Sequence, residues 1–333
     1  MKNFWSLIVL FICVFSLKGW SQNFLSNEHT AGGAFAFIED FGGTVGMARA
    51  QTGVSTEQND LFSTLLNPAS PSPVAQKQNI AFSWKAGAVQ SNQGSMAWAF
   101  PYKLARLQLT YNNHIHHNIA EYDIQGEATG HELKPYDQSL AFSVQVPTTH
   151  FIIGANFKHL LDRLSDLPQD QSAMAWGMDW GLRLRNDSPR WGAGIAVLNL
   201  GNQFRAYTEK GVNYLPLNSI IQLGGHLNLI VPRGATLMLD LRLERYGPIS
   251  IHTALDYVVN PWLTLHGGLQ RSIPELMYTL DMFFTEAELA VGHWDLINAG
   301  CTIQAEKWTL NYALAWLTEN QGMRHQISLG YFL

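Results

Sequence analysis

The stretch Trp308-Thr309-Leu310-Asn311-Tyr312-Ala313-Leu314-Ala315-Trp316 decides the fold class of this chain. Large apolar residues occupy its even positions and small or polar residues its odd positions, which is the period of a β-strand with two unlike faces. Aromatic residues stand at both ends of the apolar face, with aliphatic residues between them. This order is typical of a strand that crosses a bilayer, because aromatic rings prefer the two interfaces and aliphatic groups the hydrocarbon.

The chain ends on a second run of the same kind. After a polar turn at residues 318–323, the segment 325–333 places Ile327, Leu329, Tyr331 and Leu333 on one face. A chain that stops on a strand suits a barrel whose last hairpin closes the wall.

The same period of two begins at Asn79 and continues along the chain. In residues 174–184, apolar side chains including Trp176 and Trp180 alternate with small or charged residues such as Asp179. With both termini on the same side the strand number is even, so about fourteen strands are expected, and about sixteen are the second choice. Residues 272–294 fit either a loop with one strand or two strands. The candidate strands lie near 80–84, 95–102, 107–111, 119–125, 138–146, 151–157, 174–184, 191–198, 219–230, 237–243, 249–257, 262–271, 296–304, 308–316 and 325–333.

Residues 1–21 predict a secretory signal peptide. Met1-Lys2-Asn3 is a basic start, residues 4–17 are almost entirely apolar, and Gly19-Trp20-Ser21 offers a small-x-small cleavage site. The apolar run is too short for a membrane-spanning helix. Removal of this segment leaves Cys301 as the single cysteine, so no disulfide is expected, and Cys301 is interpreted as a structural residue of a strand.

Composition favours an exported membrane barrel. Charged residues make up 14% of the chain, against roughly 25% in ordinary soluble domains. A wall that faces lipid on one side carries no charge there and keeps its polar groups in the lumen, so the mean hydropathy of −0.05 resembles that of a soluble protein. The net charge of −5 argues against nucleic acid as a partner. The alternative is a periplasmic β-sandwich.

Residues 22–78 do not alternate. They are rich in Gly, Ala, Thr and Asn, and Pro71 and Pro73 follow the motif Asn67-Pro68-Ala69. Glycine allows close approach of backbones, and proline interrupts both strands and helices. We predict a compact irregular segment with one or two helical turns around Asp60 to Leu66. A transmembrane barrel of residues 79–333 would follow it.

Two short motifs in this segment resemble the N-terminal hatch of FadL-like outer-membrane proteins. The first lies in Thr44-Val45-Gly46-Met47-Ala48-Arg49-Ala50, and the second is Asn67-Pro68-Ala69. Within that superfamily the chain resembles the PorV/PorQ branch associated with type IX secretion, and it departs from the pattern in 275–294. This closer resemblance depends on the stretch 191–201, Leu215-Pro216, Leu310-Asn311-Tyr312-Ala313 and residues 325–329.

The resemblance implies a hatch, or plug, that closes a lumen otherwise wide enough to leak. A periplasmic turn without a gating role is the alternative. The implied plug residues are Gly46, Met47, Ala48, Asn67, Pro68 and Ala69.

Side chains with reactive chemistry have structural explanations in this chain. His114-Ile115-His116-His117 suggests a metal site, but no carboxylate lies at ligand spacing, so the run is interpreted as a strand that ends in a loop. No lipase-type pair is expected, because His325 and Ser328 have opposite parity, and no nucleophile elbow or phosphate loop occurs. We therefore predict a non-enzyme without metal or cofactor.

Two sets of side chains are assigned to the two faces of the predicted wall. Charged residues opposite the apolar rows are expected to form a polar network in the lumen, with a substrate relay as the alternative; they are Asp179, Arg183, Arg185, Asp240, Arg242 and Glu244. Aromatic residues are expected to form a lipid-facing belt rather than a ligand site; they are Trp176, Trp180, Trp308, Tyr312, Trp316 and Tyr331.

Two functions follow from the resemblance. The first is an accessory role in type IX protein secretion at the cell outer membrane, with other secretion components and secreted cargo proteins as partners besides lipid. The alternative is a FadL-like transporter in which a small hydrophobic ligand enters a lumenal pocket and leaves sideways. A lumen lined by small, polar or charged residues argues mildly against the transporter.

Overall fold

The computed structural model describes residues 43–58, 60–70, 78–86, 91–122, 125–164, 172–185, 190–207, 216–229, 234–245, 247–274, 276, 297–316 and 323–333. The predicted signal peptide, residues 22–42 of the predicted hatch and most of 272–294 lie outside the described residues. In chain order the strands are β1 (Asn79–Ala86), β2 (Asn92–Tyr102), β3 (Ala105–Ile115), β4 (Ile119–Tyr122), β5 (Ala128–Leu133), β6 (Tyr136–Pro147), β7 (Phe151–Arg163), β8 (Ala173–Leu184), β9 (Trp191–Arg205), β10 (Ile220–Leu229), β11 (Ala235–Glu244), β12 (Ser250–Asn260), β13 (Leu263–Ser272), β14 (Ile297–Gln304), β15 (Trp308–Trp316) and β16 (Met323–Phe332).

Fourteen of these strands form a closed antiparallel barrel. Each wall strand pairs with its neighbours along the chain, except that β3 pairs with β6. The barrel closes where β1 pairs with β16, in a register that runs from Asn79 opposite Phe332 to Ala86 opposite His325. The predicted all-β class, the antiparallel barrel and the strand number of fourteen are confirmed.

One candidate strand does not belong to the wall. The prediction placed a barrel strand at 119–125, whereas β4 pairs only with β5, in a separate two-stranded sheet. Side chains on both faces of β4 and β5 are mostly exposed, because no lumen or second sheet covers them. This hairpin lies in the connection from β3 to β6, and the prediction of a wall strand there was wrong.

The two ends of the barrel differ in their connections. We call the end that carries Asn79 and Phe332 the proximal end. Short turns join strands there, at 103–104, 148–150, 261–262 and 305–307. At the opposite, distal end, the connections 116–135 and 206–219 are longer. Hairpin geometry explains the short turns, because antiparallel neighbours need only a few linking residues.

The wall has the two unlike faces that the sequence predicted. Along β8, Ala175 and Asp179 are fully buried, whereas Trp176 and Trp180 are 44% and 48% exposed. The same alternation recurs in β3, β6, β7 and β15. Because the exposed residues are large and apolar and the buried ones small or polar, the outer face is apolar and the polar groups face inward.

Residues 43–70 form two short helical pieces. An α-helix, α1, spans Thr44–Ala48, and a 3₁₀ helix spans Leu61–Leu65, where helical turns were predicted. The carboxylate of Asp60 accepts from the N–H of Phe62 at 3.1 Å and from the N–H of Val45 at 3.2 Å, so it caps the 3₁₀ helix and joins it to α1. Burial raises the pKa of Asp60, and these N–H groups partly offset that rise. Within the described residues, no helix has the length and hydropathy needed to cross a membrane.

Candidate functional site: the filled lumen

Residues 43–58 and 60–70, which we call the internal segment, lie inside the barrel. Their apolar side chains contact small side chains of the wall. Phe62, which is 1% exposed, packs with wall alanines of β1 and β2, and Met47 packs with alanines of β15. Val54 packs with Ala196 and neighbours on β9 and β10. Small wall residues therefore leave the space that the larger side chains of the internal segment fill.

Wall glycines bring the backbone of the internal segment against the wall. A Cβ on Gly154 would lie 2.0 Å from the carbonyl oxygen of Pro68, and one on Gly268 would lie 2.3 Å from the carbonyl carbon of Arg49. No side chain can occupy such a site without movement of backbone. The same close approach to the backbone of the internal segment occurs at Gly181 and Gly194, and a Cβ on Gly300 would lie 2.6 Å from Ala48 Cβ.

Polar side chains of the wall hold the backbone of the internal segment. Lumenal amide groups donate to its carbonyl oxygens at 2.7 to 2.9 Å from five strands. The pairs are Gln108 with Leu61, Gln145 with Pro68, Asn156 with Thr64, Gln222 with Gln51, and Asn298 with Met47. Because irregular backbone inside a barrel has no partners of its own, these bonds satisfy groups that would otherwise be buried unpaired.

Asp240 of β11 supplies the complementary acceptor. Its Oδ2 accepts from the backbone N–H of Gly53 at 2.7 Å and of Val54 at 2.9 Å, and from Gln222 Nε2 at 2.9 Å. The side chain is 1% exposed. A carboxylate that accepts from three N–H donors fixes the turn at 53–54 against the wall.

A buried ion pair fixes the next turn. Arg49 is 6% exposed and forms a two-pronged salt bridge with Asp256 of β12, with Arg49 Nε 3.0 Å from Asp256 Oδ1. His266 of β13 lies 2.8 Å from the same oxygen and 2.8 Å from Thr302 Oγ1 on β14. A single guanidinium of the internal segment is thus connected to three consecutive strands.

The predicted plug residues all lie in this contact zone. Gly46, Met47, Ala48, Asn67, Pro68 and Ala69 are buried. Asn67 is the most connected of them, because its amide donates to Val54 O and its Oδ1 accepts from the N–H of Ala69 at 2.9 Å. Asn67 therefore joins the two halves of the internal segment to each other.

The predicted lumenal charges do not form one network. Asp179 bonds with Lys158 and Asn156 at 2.8 Å, whereas Asp240 bonds with the internal segment. Arg242 bonds with Glu244 at 2.7 Å at the distal end of β11, and Arg183 lies 3.7 Å from Glu57. Arg185 is exposed beyond the end of β8 and donates to Thr148 O, so its placement in the lumen was wrong.

The sequence analysis did not identify the residues of the buried ion pair. It named Arg49 only as part of a motif and did not name Asp256 or His266. Their strands do alternate, so a lumenal orientation could have been read from parity. Their pairing with Arg49 could not have been predicted from local sequence, because Arg49 and Asp256 are 207 positions apart.

Strand β9 carries a double irregularity in the wall. Its register with β8 shifts between Met174 and Ala175 and again between Met178 and Trp180. At the second shift Asn199 has a left-handed backbone, with φ of +57°, as expected for the extra residue of a bulge. Asp179 Oδ1 accepts from the N–H of Asn199 at 2.8 Å, and Lys158 Nζ lies 2.6 Å from Asn199 Oδ1.

The predicted belt residues lie on the outer face. Trp308 and Trp316 are 48% and 51% exposed, and the rings of Trp308 and Tyr331 pack with centroids 4.3 Å apart. The hydroxyl of Tyr312 lies 2.7 Å from His325 Nδ1 on the adjacent strand. Ser328 is buried, so His325 and Ser328 lie on opposite faces as their parity predicted.

Comparison with solved structures gives the fold a name. The toluene transporter TodX of P. putida superposes with a TM-score of 0.60 at 10% identity, over 89% of this chain and 99% of that one. A FadL homologue of Pseudomonas aeruginosa superposes with a TM-score of 0.50 at 11% identity, with the same coverage. The chain has a FadL-like barrel fold. No protein-family model matches the sequence, and no curated protein matches it.

A mutant of TodX, described as a monoaromatic hydrocarbon channel, also superposes over 89% of this chain, with a TM-score of 0.57. The two TodX proteins are thus described as a channel and as a transporter.

Proposed function

We propose that this chain is an outer-membrane barrel through which small hydrophobic compounds pass without chemical change. In this proposal residues 1–21 direct export, residues 22–78 form the hatch and residues 79–333 span the membrane. The exposed aromatic and aliphatic residues of the outer face then meet lipid, with the six belt residues at the interfaces. The toluene transporter with the same fold supports the choice of substrate class.

The bulge of β9 carries this proposal, because buried apolar side chains lie beside it. Leu160, Ala173, Ala175 and Leu217 form a cluster with Tyr207 at the distal end. A Cβ on Gly177 would lie 3.1 Å from Leu217 Cδ1, so Leu217 lies against the lumenal side of β8 next to the bulge. An apolar surface beside an irregular wall suits a route for an apolar solute between lumen and bilayer.

Deleting Asn199 tests this route. Without the extra residue, β9 regains regular pairing with β8 between Met178 and Trp180, and we expect toluene uptake to fall by about tenfold or more. The measurement is uptake of radiolabelled toluene by cells that express each variant, with barrel folding verified by the different gel mobilities of boiled and unboiled samples.

A polar substitution provides a second, independent variant. Leu217→Asp places a carboxylate in the apolar cluster and is expected to reduce uptake by about tenfold. Leu104→Asp is the matched control, because Leu104 is 83% exposed in a proximal turn. Normal uptake in folded Asn199-deleted and Leu217→Asp proteins would overturn the proposed route.

A second candidate function is the accessory role in type IX secretion. Two features favour it: the resemblance to the PorV/PorQ branch and the dense polar attachment of the internal segment to the wall. We expect a deletion strain to secrete less type IX cargo and to anchor less of it at the surface. Normal secretion by that strain, together with measurable toluene uptake by the protein, would eliminate this candidate.

A further inference from the structure

Two histidines and an aspartate meet at the distal end of the lumen. His114 of β3 lies directly opposite Asp137 of β6 in the strand register, and His116 follows two residues later. His114 Nδ1 lies 3.4 Å from Asp137 Oδ2, and His116 Nε2 lies 2.6 Å from the same oxygen. The nearest ligand atoms of the three residues all lie within 4.8 Å of one another.

Sequence spacing does not connect these residues, and the histidine run was interpreted as a strand end because no carboxylate lay at ligand spacing. The carboxylate comes instead from the adjacent wall strand, 23 positions from His114 along the chain. Strands β3 and β6 are neighbours because the β4–β5 hairpin lies outside the wall. Strand β3 does end at Ile115, as the strand-end interpretation expected, and the fold places a carboxylate beside the histidines.

Apart from the 3.4 Å contact with Asp137, the buried imidazole of His114 has few polar partners among the described residues. It is 2% exposed, and neither of its ring nitrogens has a hydrogen-bond partner among the described residues. Gln93, opposite His114 on β2, is 3% exposed, and its Oε1 also lacks a hydrogen-bond partner there. Buried polar atoms are nearly always paired, so the ring nitrogens of His114 are available to a bound metal ion.

The local charge favours a cation. Asp162 of β7 lies directly opposite Asp137 and is 9% exposed, so two carboxylates face each other in one row of the lumenal surface. The hydroxyl of Tyr207 donates to Asp162. Two carboxyl groups in one row supply negative charge that a divalent cation beside Asp137 would balance.

We propose that His114, His116 and Asp137 form a binding site for a divalent transition metal of the zinc type. Two imidazoles and one carboxylate form a donor set that suits Zn²⁺ or Co²⁺ better than Mg²⁺ or Ca²⁺, which prefer oxygen ligands. In a tetrahedral zinc site, ligand atoms lie about 3.3 Å apart. The separation of 3.4 Å between His114 Nδ1 and Asp137 Oδ2 matches this spacing, and the partly exposed His116 side chain has room to move outward.

The position of the site assigns it a structural role. His114 and His116 mark the end of β3, and Asp137 marks the start of β6, where the β4–β5 hairpin leaves the barrel. A metal ion there joins the two strands at the base of the hairpin and leaves its remaining coordination position to water. The bound ion therefore stabilises the hairpin base and the distal rim of the lumen.

Cobalt and zinc titrations test the site on the full-length chain without a histidine tag, in detergent. The unmodified protein is expected to bind one Co²⁺ with visible absorption bands of four- or five-coordinate cobalt, and Zn²⁺ is expected to displace it. His116→Ala and Asp137→Asn should each weaken binding by about tenfold or more. His116 is the safer variant for folding, because its side chain is 37% exposed.

His117→Ala and His131→Ala are the matched controls, since both residues are exposed histidines near the same end of the barrel. They should leave affinity and spectrum unchanged, which would separate the site from weak binding by surface histidines. Gel mobility of unboiled samples verifies that each variant is folded. The proposal fails if the unmodified protein shows no stoichiometric cobalt band, or if His116→Ala and Asp137→Asn bind as tightly as it does.

Discussion

Replacing Gly154 with alanine is expected to loosen the internal segment and open the lumen. The added Cβ would lie 2.0 Å from Pro68 O and 2.6 Å from the backbone nitrogen of Ala69, so backbone must move even for this smallest side chain. A barrel of fourteen strands is wide enough to leak once its contents shift. We expect conductance in planar bilayers to rise by about tenfold and stability to fall by about 1–3 kcal/mol.

Gly94→Ala is the control for this experiment. Gly94 lies in β2, and a Cβ there meets no atom within 4 Å. The control should conduct and unfold like the unmodified protein, which removes any general effect of alanine in a strand. If Gly154→Ala folds and still conducts like the control, the close contact does not close the lumen.

Replacing Arg49 with methionine is expected to produce the largest loss of stability. Methionine keeps an unbranched apolar stem but leaves Asp256 as a buried carboxylate without its guanidinium, and Asp256 is 8% exposed. Removing one partner of a buried ion pair typically lowers the free energy of unfolding by about 3–5 kcal/mol. The measurement is the heating temperature above which the band of the folded barrel disappears from a gel. For Arg49→Met this temperature should lie well below that of the unmodified protein.

Two further variants show whether the unpaired charge of Asp256 causes the loss of stability in Arg49→Met. Arg205→Met removes an exposed arginine at the end of β9 and should leave this temperature unchanged. The double variant Arg49→Met with Asp256→Leu removes both charges and should recover part of the loss, because no buried charge then lacks its partner. Equal stability of Arg49→Met and the unmodified protein would show that the ion pair does not hold the internal segment.

The sequence predicted the wall well because every wall strand repeats one simple rule. Side chains alternate between the two faces of a strand, so Trp176 and Trp180 share one face and Asp179 lies on the other. In a membrane barrel the apolar face points outward and the polar face inward. The 3₁₀ helix was also visible, because Asp60 is a good cap at the start of an apolar run. These features depend on neighbours in sequence, where local pattern carries the information.

The features that the sequence did not show depend on register between distant strands. Alternation in 119–125 did not reveal that this short strand leaves the wall, since a hairpin in solvent has the same period. The bulge at Asn199 is one residue long and lay just beyond the predicted strand 191–198. The proximity of Asp137 to His114 required knowledge that β6, not β4, follows β3 around the barrel.

The seam between β1 and β16 has a consequence for assembly. The internal segment precedes β1 in the chain, yet its contacts extend from Gln108 of β3 to Asn298 of β14, so most of the wall must gather around it. Once β1 has paired with β16, a folded segment of this size can no longer enter the lumen through the wall. We therefore expect the internal segment to dock before these two strands pair. Formation of its contacts with distant strands should then limit the folding rate of the barrel.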